Sequence, residues 1–546
     1  LRGAGPMRRR PPLRLAVALA ALALAALPLP AAPGPEEAPE RYRQVARAMR
    51  HLVDEEVEQA RALVGPLLEA HPGDAGVALA AGVLRLHEQR YDEAVRLLEA
   101  SDAQSPGAPG DWLALARKAH QITRGYQRAE GRHFVVFHPG GKDEVLVPYL
   151  LEMLEAQRAA LERALGRVPA EKVAVEILEG PRELAGLSTL TEEEIKTSGT
   201  IAICKFNKLM VTSPKALLRG YDWLDTASHE YVHYVVTRHT RNQAPIWLHE
   251  GIAKWAETLW RGRGGESLSP YAAALLREAA RQGRLITFAE MHPSMAKLPS
   301  QEAAALAFAE VLAAVEWMER RGGPGALLRV LDLVADGRPA DQAVARALAI
   351  PFEAFLAEWR RFMATRPLPE GGERELTVLR FKGDPGHGGS HSEWAEIPDE
   401  RARGFARLGE IFRGRGRWEA ARQEYGKAVR RAGGRSAVLA SKFALASLMS
   451  GREGEAEAAL AEAVRSHPGY AALHVNLGRL ALKRQQWARA RDAFLLANRT
   501  DPFDPEIHAG LARAFEALGE KKLSEREQRF AGLLSGDRAG ARSPPE

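Results

Sequence analysis

The chain has 546 residues, 46% of them hydrophobic and 27% charged, which is enough for about three globular domains with cores of their own. The formal net charge of +6 falls to +1 when five arginines at positions 2, 8, 9, 10 and 14 are left out, so nothing indicates a nucleic-acid-binding protein. The single cysteine, Cys204, excludes an internal disulfide, and its apolar neighbours predict a buried strand residue.

The N-terminal segment predicts export. A basic stretch is followed by an apolar run at 15–29, which is shorter than the roughly 20 residues of a membrane-spanning helix. We therefore expect a signal peptide over residues 1–32, with small residues at Ala31 and Ala32 for cleavage. The expected location is the bacterial periplasm or the extracellular space, and a chain without an internal disulfide is unremarkable in a bacterial periplasm. The alternative is an uncleaved segment that anchors the protein in the membrane.

Helical repeats are predicted at both ends of the mature chain. In residues 33–128, Ala60 and Ala94 stand 34 positions apart, a period that resembles tetratricopeptide repeats. In residues 401–535 the small residues recur at steps of 35 and 34, as Ala421, Ala456 and Ala490. Such repeats stack into a solenoid whose concave face binds peptides or partner proteins. Residues 366–400, rich in glycine and proline, predict a flexible linker, and residues 536–546 a disordered tail.

Between the repeats, residues 129–365 predict a mixed α and β domain. Strands are expected at 133–137 and 173–178, with an amphipathic helix at 148–165 between them. Two further apolar segments, 200–204 and 208–212, are separated by three residues and predict a hairpin. One of these two segments is expected to form the edge of the sheet.

The sequence His229-Glu230-Tyr-Val-His233 follows the hairpin. On a helix His229 and His233 lie one turn apart on the same face, so both imidazoles can reach one metal ion. Glu230 is offset by roughly 100° and lies beside that ion, where it can take a proton from a water molecule. The spacing predicts a zinc site with its general base.

Several residues compete to be the third ligand. His239 would complete a metzincin site, but the motif's glycine is replaced by Val236, and on a continuing helix His239 points away. Glu250 is favoured, because Pro245 begins a second helix and places Glu250 about one turn into it. The glycine that follows Glu250 allows two helices to approach closely. His249 and Glu257 are the remaining candidates.

The two motifs, H-E-Y-V-H and Pro245-Ile-Trp-Leu-His-Glu-Gly-Ile-Ala253, resemble the peptidase MA-like branch of the gluzincin zinc metallopeptidases. The resemblance covers roughly residues 130 to 365. It implies one Zn²⁺ bound by His229, His233 and Glu250, with Glu230 as the base. The expected fold is thus an α+β zincin-like domain between all-α tetratricopeptide segments.

Two ligand histidines and one carboxylate would leave a position for water, as in catalytic zinc sites, so the predicted reaction is hydrolysis of a peptide bond. A donor for the developing oxyanion is also expected, and Tyr271 and His292 are the candidates downstream. One alternative is a repeat scaffold whose metallopeptidase-like domain only binds. Another is a purely structural zinc site.

Overall fold

The computed structural model describes residues 40–262, 268–366, 379–382, 397, 399–433 and 436–540. The predicted signal peptide and most of the predicted linker lie outside these residues. Among the described helices, none combines the length and the apolar character that crossing a membrane requires.

The first compact unit ends at His120, and the elements in its described residues, from residue 40 onward, are all helices. Ala60 and Ala94, which mark the predicted period, are fully buried between helices. Asp74 caps the third helix by accepting a hydrogen bond from the backbone of Val77, as short polar residues do at helix N-termini. The helices are α1 (Glu40–Val53), α2 (Val57–Ala70), α3 (Ala75–His87), α4 (Tyr91–Gln104) and α5 (Asp111–Thr123), the last of which continues into the second unit.

The second unit opens with a sheet of five strands in the order β1-β2-β3-β5-β4. The three central strands are parallel, and the two outer strands pair antiparallel with their neighbours. The strands are β1 (Gln127–Glu130), β2 (Phe134–His138), β3 (Val173–Leu178), β4 (Ala202–Lys205) and β5 (Lys208–Thr212).

The hairpin and the two preceding strands are confirmed, and β1 is an addition to the prediction. Of the two candidates for the edge, the structure selects β4, because β5 pairs on both sides. Phe206 and Asn207 form the hairpin turn with positive φ angles of 53° and 60°, as two-residue hairpin turns require. Cys204 lies in β4 and is half-buried, so it is less protected than predicted.

Helices cover the sheet and extend beyond it. The ring of Tyr231 packs edge-on against Phe134 of β2, with 5.0 Å between the ring centroids, so the helix that contains the histidines lies on the sheet. The helices are α6 (Leu146–Leu165), α7 (Pro181–Leu187), α8 (Glu192–Ser198), α9 (Trp223–Thr240), α10 (Ile246–Ala256), α11 (Pro270–Gln282), α12 (Gln301–Gly322), α13 (Ala326–Ala335), α14 (Ala340–Leu348) and α15 (Phe352–Thr365).

Helices α10 and α12 cross with almost no space between them at Gly251. A Cβ atom built on Gly251 would lie 2.8 Å from the carbonyl oxygen of Val311 and 2.9 Å from Cγ2 of Val315. No side chain fits at that separation, which confirms the predicted close approach of two helices. The crossing fixes the position of Glu250, the preceding residue.

The C-terminal segment is a stack of helical pairs, as predicted. Gly409 and Gly478 occupy equivalent positions, where a side chain would collide with the rings of Tyr425 and Phe494. The helices are α16 (Glu400–Gly414), α17 (Trp418–Ala432), α18 (Ala437–Met449), α19 (Glu453–Ser466), α20 (Ala471–Lys483), α21 (Trp487–Asn498), α22 (Pro505–Ala517) and α23 (Lys521–Gly540). Helix α23 continues into the predicted tail, and residues 541–546 lie outside the described residues.

The prediction of a flexible linker does not hold for residues 379–382. The backbone of Lys382 donates a hydrogen bond to Ala216, and that of Leu218 donates one to Arg380. Between these bonds, the buried side chain of Phe381 lies opposite Leu217. This part of the linker is therefore packed against the segment that leads into α9.

Candidate metal site

Helix α9 carries both histidines of the motif. Its first turn is capped by Asp222, whose carboxylate accepts a hydrogen bond from the backbone of Asp225. The helix continues without a break to Thr240. His229 and His233 therefore lie on one face, with 4.6 Å between their ring centroids and their planes nearly perpendicular.

Glu250 on α10 faces both imidazole rings. Its Oε2 atom lies 3.2 Å from Nε2 of His229 and 3.2 Å from Nε2 of His233. One ligand atom from each of these three residues lies within 4.8 Å of the other two, close enough for all three to hold a single ion. Two imidazoles and one carboxylate form a ligand set that suits Zn²⁺.

The other ring nitrogen of each histidine has a partner behind the cluster. Nδ1 of His229 lies 3.0 Å from Oε2 of Glu257, and Nδ1 of His233 lies 2.5 Å from Nδ1 of His249. Nε2 of His249 in turn lies 3.1 Å from the hydroxyl of Thr237. Hydrogen bonds of this kind fix the orientation of a metal-binding ring and turn its Nε2 towards the ion. The residues present thus fit a zinc ion.

Burial and the neighbouring groups decide which side chains of the cluster are charged. Burial opposes a charge on His229, but the hydrogen bonds that its ring donates to Glu250 and Glu257 outweigh this effect and raise the pKa of His229 to about 10. Burial would raise the pKa of Glu250, yet the two histidines hold it well below its usual value. For His249, burial next to His233 lowers the pKa to about 3, so this ring is neutral. The Glu250 carboxylate is therefore ionised, and a cation that binds there would displace the proton from the His229 ring.

Glu230 lies between the cluster and the edge of the sheet. Its side chain is almost completely buried, and it accepts a hydrogen bond from the backbone of Cys204 in β4. Burial raises the pKa of Glu230 above its usual value, although the charges of His233 and His229 oppose the shift. A carboxylate with a raised pKa is suited to accept and return a proton near neutral pH.

The structure separates His239 from the cluster. His239 points to the opposite side and hydrogen-bonds Asp332 on α13 at 2.8 Å. Within the part of the chain that the structure describes, no hydrogen bond or ring contact joins Tyr271 or His292 to the three candidate ligands. Tyr271 lies on α11, where burial and the nearby Glu302 raise its pKa. Among the described residues, no contact therefore places Tyr271 or His292 beside the cluster as an oxyanion donor.

Sequence reasoning treated Glu257 and His249 only as competing ligands. Their place behind the rings follows from the path of α10, which the sequence does not show. The spacing of Glu257 was the available signal. Glu257 follows Glu250 by seven positions, or two helical turns, and so lies at the end of α10 on the side of Glu250.

Comparisons with known proteins agree with the domain order. The family model of the Peptidase MA superfamily matches residues 156–365, and tetratricopeptide repeat models match residues 45–109 and 447–514. No curated protein matches the chain.

Solved structures give only distant similarities. Native yeast LTA4 hydrolase is 11% identical with a TM-score of 0.28, over 74% of this chain and 67% of its own. The Cut9-Hcn1 hetero-tetramer of the APC/C is 11% identical with a TM-score of 0.26, over 91% of this chain and 79% of its own. Scores this low carry no argument about function. The family models do, and they show that this chain contains a Peptidase MA superfamily domain flanked by tetratricopeptide repeats.

Proposed function

We propose that the protein is a zinc-dependent peptidase in which His229, His233 and Glu250 hold one Zn²⁺ and Glu230 is the general base. The observation that carries this proposal is the convergence of two Nε2 atoms on the Glu250 carboxylate, with Glu230 next in sequence to His229. A purely structural site is disfavoured, because such sites have four protein ligands and only three converge among the described residues.

When bound, the zinc ion would polarise the scissile carbonyl and make water more acidic. The proton transfers and the positioning of the imidazole rings would depend on the protein's own residues. The Glu230 carboxylate would accept a proton from the attacking water and return it to the leaving amine. Glu257 and His249 would keep the two imidazole rings in place during these steps.

The edge of the sheet supports a peptide as substrate. Strand β4 pairs with β5 on one side only, and its Cys204 contacts the base Glu230. An extended peptide could pair with the other side of β4 by strand addition, and its backbone would then pass the cluster. The proposed reaction is hydrolysis of a peptide bond in such a strand.

The test is a comparison of the wild type with Glu230→Gln and Glu250→Gln, measuring zinc content and cleavage of casein. Glu230→Gln should retain zinc and lose cleavage by at least about a thousandfold, since both water activation and proton return are lost. Glu250→Gln should lose both. Cleavage by Glu230→Gln at the wild-type rate would overturn the mechanism. A wild type that binds zinc but cleaves nothing would favour the alternative, a repeat scaffold with a binding-only domain.

The C-terminal repeats offer a surface for a protein partner. Helices α20 and α22 line a cavity of about 350 Å³ with Arg479, Lys483, Arg513 and Glu506. Arg479 pairs with Glu506, and Lys483 pairs with Glu453. Within the described part of the chain, Arg513 has no ion-pair partner. We therefore propose that an acidic peptide segment of a partner or substrate binds this groove.

Export remains a proposal that rests on the basic and apolar N-terminal segment. Expression of the full chain in a bacterium, followed by fractionation and N-terminal sequencing, would test it. A mature N-terminus near residue 33 in the periplasmic fraction is expected. Full-length protein in the cytoplasm would contradict it.

A further inference from the structure

The C-terminal repeats contact the helix that carries the histidines. At the end of α21, the carbonyl of Asn498 accepts a hydrogen bond from the indole of the buried Trp223, at 3.0 Å. The carbonyl of Arg499 accepts another from the Trp223 backbone, at 3.2 Å. Trp223 is the first residue of α9. The start of the helix is thus bonded to a loop of the repeats.

Gly220 shows how close this contact is. A Cβ atom built there would lie 1.8 Å from the carbonyl oxygen of Thr500, so no other residue fits without moving the backbone. Gly220 also has a φ of +64°, which favours glycine. The loop between α21 and α22 is therefore packed directly against the segment before α9.

Arg499 adds charge to the contact. Its guanidinium binds both Asp222, the cap of α9, and Asp225, the latter at 2.8 Å. The side chains of Arg499 and Asp225 are only 16% and 12% exposed, so solvent screens their attraction weakly. A buried ion pair of this kind is costly to break, because each partner is left with an uncompensated charge.

Asp225 stands on the same face of α9 as the candidate ligands. Asp225, His229 and His233 are spaced by four residues, so they form one row along the helix. Asp225 accepts hydrogen bonds from Trp260 and Arg261, which lie just after Glu257. Glu257 in turn binds His229. Each residue of this row on α9 therefore has a partner in the segment that runs from His249 to Arg261.

We infer that Arg499 is a positioning residue for the zinc site: the C-terminal repeats hold the first turn of α9 in register with the chain that orients His229. This inference rests on the proposed zinc site and extends it, because it makes the repeats part of the metal centre rather than a separate binding module. Residues hydrogen-bonded directly to a metal ligand change metal affinity by roughly 10–100-fold when they are removed, and Arg499, which acts through Asp225, should lie at the lower end of this range.

The test compares Arg499→Ala with Arg526→Ala in the full chain. Arg526 lies in α23 and binds Glu152 on α6 while covering the ring of Tyr149, so it joins the repeats to the same domain without touching α9. Zinc affinity is measured by competition with a chelator, and the ligand geometry is followed by the visible absorption of the Co²⁺-substituted protein. Thermal unfolding reports the loss of stability common to both variants.

Arg499→Ala should bind zinc about tenfold more weakly and shift the Co²⁺ bands, whereas Arg526→Ala should change neither. If Arg499→Ala does not fold, Arg499→Lys, which keeps the charge but contacts fewer oxygens, should show a smaller shift in the same direction. Equal zinc affinity and spectra in all variants would overturn the inference and leave the proposed function standing. A wild type that binds no zinc would overturn both.

Discussion

Glu257, the residue that follows α10, meets His229 of α9 behind the candidate ligands, with 3.0 Å between Oε2 and Nδ1. The carboxylate is also bound by Lys254 at 2.7 Å, one turn earlier on α10. Glu257 is almost completely buried, and burial would raise its pKa, but Lys254 and His229 lower it, so the carboxylate is ionised. An ionised partner fixes the ring of His229 with Nε2 towards Glu250.

Replacement of Glu257 by alanine should therefore weaken zinc binding by roughly 10–100-fold, because the ring of His229 loses its fixed orientation. The measurement is competition with a chelator of known affinity. Lys254→Ala is the comparison variant: it removes a charge beside the same carboxylate without touching His229, so it should weaken zinc binding by less. Equal effects of the two changes would contradict an orienting role for Glu257.

Gly251→Ala should lower stability by about 1–3 kcal/mol, because the added methyl group must push α10 away from the backbone of α12. It should also weaken zinc binding, since Glu250 moves with the helix. Gly404→Ala is the control: Gly404 is exposed on α16 and nothing lies near its position, so alanine should be neutral or stabilising there. Chemical denaturation with urea measures the stability of both variants. An unchanged midpoint for Gly251→Ala would contradict the close crossing.

Glu310 on α12 should make stability depend on pH. Its carboxylate accepts a hydrogen bond from the backbone of Ile286, while its other oxygen is buried without a partner. Burial raises its pKa from 4.5 to about 8. The folded protein thus keeps a proton that the unfolded chain releases. Stability from this group is present below pH 4.5 and is lost as the pH rises to about 8.

Glu310→Gln keeps the acceptor and removes the titration. Its melting temperature should match the wild type at pH 4.5 and exceed it by several degrees at pH 8.5, as expected for roughly 1–2 kcal/mol. Glu302→Gln, at an exposed position of the same helix, should show no such divergence. A constant difference between Glu310→Gln and the wild type across this range would rule out the proposed titration.

Charge reversal at Arg513 tests the groove of the C-terminal repeats. A fluorescent glutamate-rich octapeptide serves as the probe, and Arg513→Glu should weaken its binding about fivefold, the effect of roughly 1 kcal/mol. Arg489→Glu, on α21 and outside the cavity lining, makes the same change in net charge and should leave binding nearly unaffected. Equal losses would mean that only the overall charge matters.

The sequence predicted those elements whose signal is local. Strands β3 and β5 were predicted with their true limits, since each is a short apolar run bounded by polar residues. The spacing of His229, His233 and Glu250 was also local enough to predict that they meet. Strand β1 was missed because Gln127–Glu130 is polar and mostly exposed, so its pairing with β2 has no hydrophobic signature.

Contacts between distant parts of the chain could not be predicted. Asp225 and Arg499 are 274 positions apart, and an aspartate in the first turn of a helix is already explained by its favourable interaction with the helix dipole. Phe381 lies within a stretch rich in glycine, where one buried apolar side chain leaves no recognisable pattern in the sequence. In both cases the role of the residue depends on a partner that is distant in sequence, so the local sequence does not indicate it.

The loop carbonyl of Thr500 leaves room for hydrogen alone at position 220. Any relative that carries a larger residue at the equivalent place must hold its repeats at another angle or apart from the Peptidase MA domain. The residue at this one position in related proteins would therefore indicate whether their repeats are packed against the Peptidase MA domain or can move independently of it.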